Sequence, residues 1–274
     1  MAFPLAHPGG RLPTLTARNA TLDYDVSGAG PTIIALHGLT SSRARDAGLG
    51  LDLSCRASEN RVIRYDARGH GASSGDDDAR SYTWSALALD LLALMDAVAP
   101  WEAVHGVGQS MGSATLLHAA LDRPDRFASL VLGIPPTAWG SRVVQRRVYR
   151  SNADLVERSG LATLLADDEG AGRPPASTST ATLPPTVAEA LMPTVFRGAA
   201  LADLPPPEEL TTITAPTLIL AWVGDPAHPL STAQRLHDLL PHSQLVVAHT
   251  PADVETWPDL VAQHCQQARG ALEK

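Results

Sequence analysis

The chain has 274 residues, 44% of them hydrophobic, enough for one sizeable core carrying an insertion. Its formal net charge is −8, which argues against nucleic acid or an anionic membrane as partner, since either would select a basic face. Lys274 is the only lysine, and this takes Schiff-base lysine chemistry out of consideration.

Residues 1–15 carry three prolines and no long apolar run, so they do not read as a signal peptide. Residues 14–27 alternate and predict a β-hairpin, with Gly28-Ala29-Gly30-Pro31 as the next turn. Residues 32–36 and 61–65 are short apolar runs of the kind buried parallel strands show. Residues 81–98 place Leu87, Leu89, Leu91, Leu92, Leu94, Met95 and Val98 at helical spacing, and Pro100 follows the end. A strand over 103–107, the pentapeptide Gly108-Gln109-Ser110-Met111-Gly112 and a helix over 113–120 come next. Residues 127–132, 216–223 and 244–248 predict three more strands, the last two each followed by a helical stretch. This alternation predicts an α/β architecture, a mostly parallel sheet covered on both faces. Between Pro135 and Thr214 the alternation stops. Residues 142–165 look helical, 170–185 read as an exposed loop, and 187–201 look helical with a break or kink at Pro193. The segment 136–210 is therefore expected as a helical insertion over the C-terminal edge of the sheet, where open α/β sheets bind ligands. No apolar run approaches the ~20 residues of a membrane span. Cys55 and Cys265 could pair, but read more simply as two reduced thiols of a cytoplasmic protein.

The pentapeptide reads G-x-S-x-G between a strand and a helix, the context a nucleophile elbow needs. Small residues at 108 and 112 let such a strained turn close, and the turn lifts the Ser110 hydroxyl to the N-terminus of the following helix.

The order of motifs resembles the α/β-hydrolase family over essentially the whole chain. His37-Gly38-Leu39-Thr40 is similar to the family's H-G oxyanion loop, and Asp66-Ala67-Arg68-Gly69-His70-Gly71-Ala72-Ser73 to its D-x-R-G-x-G-x-S loop. Residues 216–220 lead to Gly224-Asp225-Pro226, like the strand and loop that supply the acid. The resemblance implies an α/β-hydrolase core over 1–135 and 211–274 and a helical cap over 136–210. It implies Ser110 as nucleophile, Asp225 as acid, and the backbone N–H groups of Leu39 and Met111 as oxyanion donors, their side chains lining the pocket. His37 is expected at the pocket, bracing the oxyanion loop by a hydrogen bond. No cofactor is implied.

The family's histidine follows the last strand, commonly as G-H. Here that slot falls on Asp253, and His249 stands four positions early. Three arrangements are open. His249 could serve as base from a rebuilt loop. His228, three residues past Asp225, could serve instead, with Asp253 orienting it from the usual histidine slot; Asp225 could also orient it, although three residues make a tight span. Or there is no base, and the site binds rather than cleaves. His228 is the favoured base. Among the other histidines, His70 is expected in a loop hydrogen bond, His105 and His118 at the core edge, and His242 and His264 at the surface. Trp139 and Trp222 are expected in the pocket, suiting an apolar acyl or alcohol group. Asp225, His228 and Asp253 could meet as metal ligands, but no H-E-x-x-H or cysteine-pair spacing supports a metal, and none is expected. The resemblance thus implies a serine hydrolase acting on a small ester, thioester or lactone through a Ser110 acyl-enzyme. A catalytically weak or inactive binding protein is the alternative, and cofactor-free lyase or perhydrolase chemistry a third.

Overall fold

Strands buried along their whole length can sit only where a sheet is covered on both faces, and three such strands run side by side in this one. The computed structural model describes residues 13–168, 173–178 and 183–272. An antiparallel hairpin of β1 (Thr14–Ala17) and β2 (Ala20–Ser27) opens the fold. Then come β3 (Thr32–Leu36), α1 (Arg43–Gly48), β4 (Arg61–Tyr65), α2 (Trp84–Val98), β5 (Val104–Gln109), α3 (Met111–Asp122) and β6 (Phe127–Gly133). Among the described residues four helices follow without a strand: α4 (Trp139–Ser159), α5 (Leu161–Asp168), α6 (Met192–Leu201) and α7 (Pro207–Leu210). The chain returns to the sheet through β7 (Thr217–Trp222), α8 (Leu230–Leu239), β8 (Ser243–Ala248), α9 (Pro251–Glu255) and α10 (Trp257–Leu272).

The strand order is β1-β2-β4-β3-β5-β6-β7-β8, antiparallel at β1/β2 and β2/β4 and parallel elsewhere. Every residue of β5, β6 and β7 is buried. Period-two alternation divides their side chains between two cores. Leu130, Leu132, Ile219 and Ala221 join the apolar faces of α2 and α3, while Val131, Leu218, Leu220 and Trp222 join Trp257 and Val261 of α10. A third apolar cluster, with Val156, Leu164, Met192 and Phe196, lies within the helical segment after β6. Arg142, fully buried, ties that segment down. It donates to the carbonyls of Ala199 and Ala202 and lies 4.1 Å over the Trp84 ring.

Several expectations change. Pro193 does not kink a helix; α6 begins at Met192, with the proline in the first turn, where its missing N–H costs nothing. The helix expected over 142–165 is two, separated at Gly160 with φ 82°. His264 is buried rather than at the surface, its Nε2 3.3 Å from the Pro216 carbonyl. Of the loop expected over 170–185, residues 170–172 and 179–182 lie outside the described residues, as do residues 1–12 of the N-terminal segment. Cys55 is exposed, Cys265 is buried, and both are free. Among the described residues no helix is long and apolar enough to cross a membrane.

Candidate active site

Ser110 stands between the end of β5 and the start of α3, with φ 48° and ψ −112°. Non-glycine residues rarely adopt a positive φ, so the surroundings must hold this one in place. Its N–H donates to the Gly133 carbonyl at 2.9 Å, and its carbonyl accepts from Ala114 N–H and the Ser113 hydroxyl. Two glycines let the strand and the helix close on the turn. A Cβ on Gly108 would lie 2.5 Å from the Gly112 carbonyl, and one on Gly112 would lie 2.6 Å from the Leu36 carbonyl oxygen. The hydroxyl is left half-buried at a helix N-terminus, where partial positive charge favours an anion.

His228 and Asp225 reach this hydroxyl from the loop after β7. His228 Nε2 is 2.7 Å from Ser110 Oγ, and His228 Nδ1 is 2.8 Å from Asp225 Oδ2. A carboxylate only accepts, so Nδ1 carries the proton and Nε2 is free to accept from the serine. The three-residue span works because the two Asp225 oxygens divide the task. Oδ1 accepts the backbone N–H groups of Ala227 and His228 and folds the turn, while Oδ2 accepts from His228 Nδ1 and from Trp222 Nε1 at 2.9 Å. Burial raises the Asp225 carboxyl, but these donors outweigh it and hold the group below the ordinary carboxylate range. Such a chain can take a hydroxyl proton as the oxygen attacks.

Asp253 and His249 do not join this chain of hydrogen bonds. Asp253 Oδ2 accepts the backbone N–H groups of His249 and Thr250, and the Thr250 hydroxyl accepts Asp253 N–H. This is a capping box at the start of α9, so Asp253 closes a helix terminus rather than orienting His228. His249 is exposed beside that cap.

Ser110 and His228 line a cavity of about 440 Å3 between the sheet edge and the helices after β6. Leu39 and Trp222 are in its wall. Trp139 and His37 are not among its lining residues: the Trp139 indole turns away to donate to the Pro205 carbonyl. His37 lies buried beneath the loop. Its Nδ1 meets the Gly38 carbonyl at 2.8 Å and its Nε2 accepts Ala67 N–H at 2.9 Å. Burial first, then the Arg43 and Arg45 charges, lowers its pKa to about 4, so the ring is a neutral strut. The Met111 side chain is in the core, not the pocket.

A family model described as alpha/beta hydrolase fold matches residues 31–151. A putative carbamate hydrolase, RutD, from Variovorax paradoxus (strain S110) is 32% identical over 231 residues, 79% of this chain and 83% of that protein. The chain belongs to the alpha/beta hydrolase family. A 3-oxoadipate enol-lactonase from Acinetobacter baylyi is 26% identical, the match covering 85% of this hydrolase and 87% of the lactonase. A fluoroacetate dehalogenase from Burkholderia sp matches more locally, 36% identical over 137 residues, 48% of this chain and 44% of that protein. The solved structure of a hydrolase from Pseudomonas aeruginosa PA01 superposes with a TM-score of 0.77 at 25% identity, covering 96% of this chain and 100% of that one.

Two groups in the hydrolase's cavity carry no recognisable motif. Gln145, Tyr149 and Asn152 stand at i, i+4 and i+7 on α4 and line the cavity together, a stripe visible in the sequence once the helix is known. Asp46 of α1 and the neighbouring Gln109 line it from the sheet side. Nothing in their spacing marks them, because they meet only through the fold.

Proposed function

We propose that this hydrolase cleaves a small ester, thioester or lactone through an acyl-enzyme on Ser110. The observation that carries this reading is the unbroken Ser110–His228–Asp225 chain, with contacts of 2.7 and 2.8 Å. His228 Nε2 takes the hydroxyl proton as Ser110 Oγ attacks the carbonyl carbon. The oxyanion forms at the backbone N–H groups of Leu39 and Met111, donors typically worth ~3 kcal/mol each. His228 then gives its proton to the leaving oxygen or sulfur. It next takes one from water as the water oxygen bonds to the acyl carbon, and returns that proton to Ser110 Oγ as the acyl–oxygen bond breaks and the acid leaves. Asp225 keeps the ring in the correct tautomer throughout.

Residues 136–210 act as a cap. The apolar side chains of Leu164, Leu165, Met192 and Phe196 suit an apolar acyl or alcohol group, and the cavity has the size usual for small ligands. The enol-lactonase and carbamate hydrolase relatives favour a small carbonyl substrate. The free thiols are consistent with a cytoplasmic setting. A pure binding role has no observation in its favour once a histidine stands at Ser110.

The test is covalent labelling by a fluorophosphonate, read by intact mass. Wild type should label rapidly, Ser110→Ala not at all, and His228→Ala about 10²–10⁴-fold more slowly. His249→Ala should label like wild type. A folded wild-type protein that does not label at long exposure sinks the reading.

A further inference from the structure

Asp46 is 6% exposed and lines the same cavity as Ser110 and His228, yet the hydrolytic relay does not use it. Its Oδ1 accepts the Ser41 hydroxyl at 2.5 Å, and its Oδ2 accepts Gln109 Nε2 at 2.8 Å. Gln109 directly precedes Ser110 and is itself 5% exposed. Its Nε2 also donates to the Leu51 carbonyl at 2.5 Å, while its Oε1 is buried and has no hydrogen-bond donor among the described residues.

This part of the cavity wall is short of donors. Once ionised, the Asp46 carboxylate offers about four lone-pair positions, and the Gln109 amide oxygen offers about two. Among the described residues only the Ser41 hydroxyl and Gln109 Nε2 serve them. The adjacent cation brings no relief by contact, because Arg45 Nε and Nη2 donate to the carbonyls of Leu183 and Pro184. Buried acceptors in native proteins are nearly always paired, so a wall of this kind calls for a donor from elsewhere. Burial pushes the Asp46 carboxyl up to about 7 against the pull of Ser41, Arg45 and Gln109, as expected where donors do not offset desolvation.

We infer that Asp46 and Gln109 form a donor-recognising subsite, so that preferred substrates carry an O–H or N–H group close to the scissile carbonyl. The inference rests on the Ser110 acyl-enzyme reading. Gln109 is the residue before the nucleophile, and Gln109 and Asp46 line the same cavity as Ser110 and His228, which places the subsite and the reacting atoms in one chamber.

Two matched pairs of esters test it by titrating acid release. Phenyl hydroxyacetate against phenyl propionate places the donor on the acyl side. 2-Hydroxyethyl butyrate against propyl butyrate places it on the alcohol side. The readout is the kcat/KM ratio within a pair, compared between wild type and the near-isosteric variants Asp46→Asn and Gln109→Met. Intrinsic ester reactivity cancels in that comparison. In at least one pair the wild-type ratio should fall by roughly tenfold or more in either variant, the loss expected for a hydrogen bond to a buried acceptor. Ratios that stay within about twofold in both pairs overturn the subsite. Should one variant fail to fold, the other decides. Fluorophosphonate labelling separates the two readings: labelling with unchanged ratios removes the subsite alone, whereas no labelling and no turnover of any ester by folded wild type removes both.

Discussion

An acid and a base three residues apart in one loop work together only if the acid also builds the turn. Asp225 does so with Oδ1, which leaves Oδ2 for the His228 ring and the Trp222 indole. Asp225→Asn keeps an acceptor for the backbone but can offer an N–H to the ring, which favours the wrong imidazole tautomer. Its labelling rate should fall roughly 10²–10⁴-fold while its melting curve changes little. Asp253→Ala should do the reverse. Losing its half of the α9 capping box should lower the urea midpoint and leave labelling at the wild-type rate. Equal rate losses in both variants would return Asp253 to the site. Ser110 and Asp225 are legible in the sequence because each follows directly on a buried strand. Their partner histidine is less so: the loops after β7 and β8 are adjacent in space, and spacing alone does not say which one reaches the serine. The true place of Asp253 was nonetheless written in Thr250-Pro251-Ala252-Asp253, a capping-box pattern with proline at the first helical position.

The turn at Ser110 depends on elements that approach closer than side chains allow. An alanine Cβ at 112 would press on the Leu36 carbonyl at 2.6 Å and the Leu36 Cβ at 2.8 Å, both parts of the rigid neighbouring strand. Gly112→Ala should therefore move α3 off the sheet. The expected cost is on the order of 3 kcal/mol or more, read as a lowered thermal midpoint together with lost labelling. A variant with the wild-type midpoint would mean that α3 is not held so tightly. Gly140 is the contrasting control, since a Cβ there meets nothing within 4 Å. The central strands were legible because burial on both faces makes them short, mostly apolar runs. The six-residue α1 was not, since one and a half turns give no periodicity to detect, and Asp46 stayed hidden with it. At α6 the proline was visible but its meaning was not: Pro is a breaker inside a helix and a good first-turn residue, and only the position of the start decides between them.

Buried histidines set how the whole molecule responds to acid. Burial lowers His37 to about 4, His70 to about 3 and His105 to about 4. Arg43 and Arg45 add to this on His37, and His264 and Arg269 on His105, while on His70 the His37 ring adds to it and Asp66 opposes it. In the unfolded chain each titrates near 6.5. Between pH 6.5 and about 4 the unfolded state therefore binds protons that the folded state refuses, and stability falls as the pH drops through this window. Asp225, held low, adds to the loss at the acid end, while Asp46, held high, opposes it. His118 and His264, which burial also lowers, act with these three, so the one opposing carboxyl leaves the net slope positive with pH. His105 is the histidine to test, since its Nδ1 contacts only Ser129 Oγ at 2.9 Å in the sheet, away from the cavity. His105→Gln can keep that hydrogen bond but cannot take a proton. Urea melts across the window should show a shallower decline for the variant, the two proteins drawing together by roughly 3 kcal/mol from pH 6.5 to 4. Parallel declines would mean that His105 takes its proton in the folded state, and acid sensitivity would then have to come from the His37–His70 pair, whose rings lie 5.2 Å apart under the loop that carries Leu39.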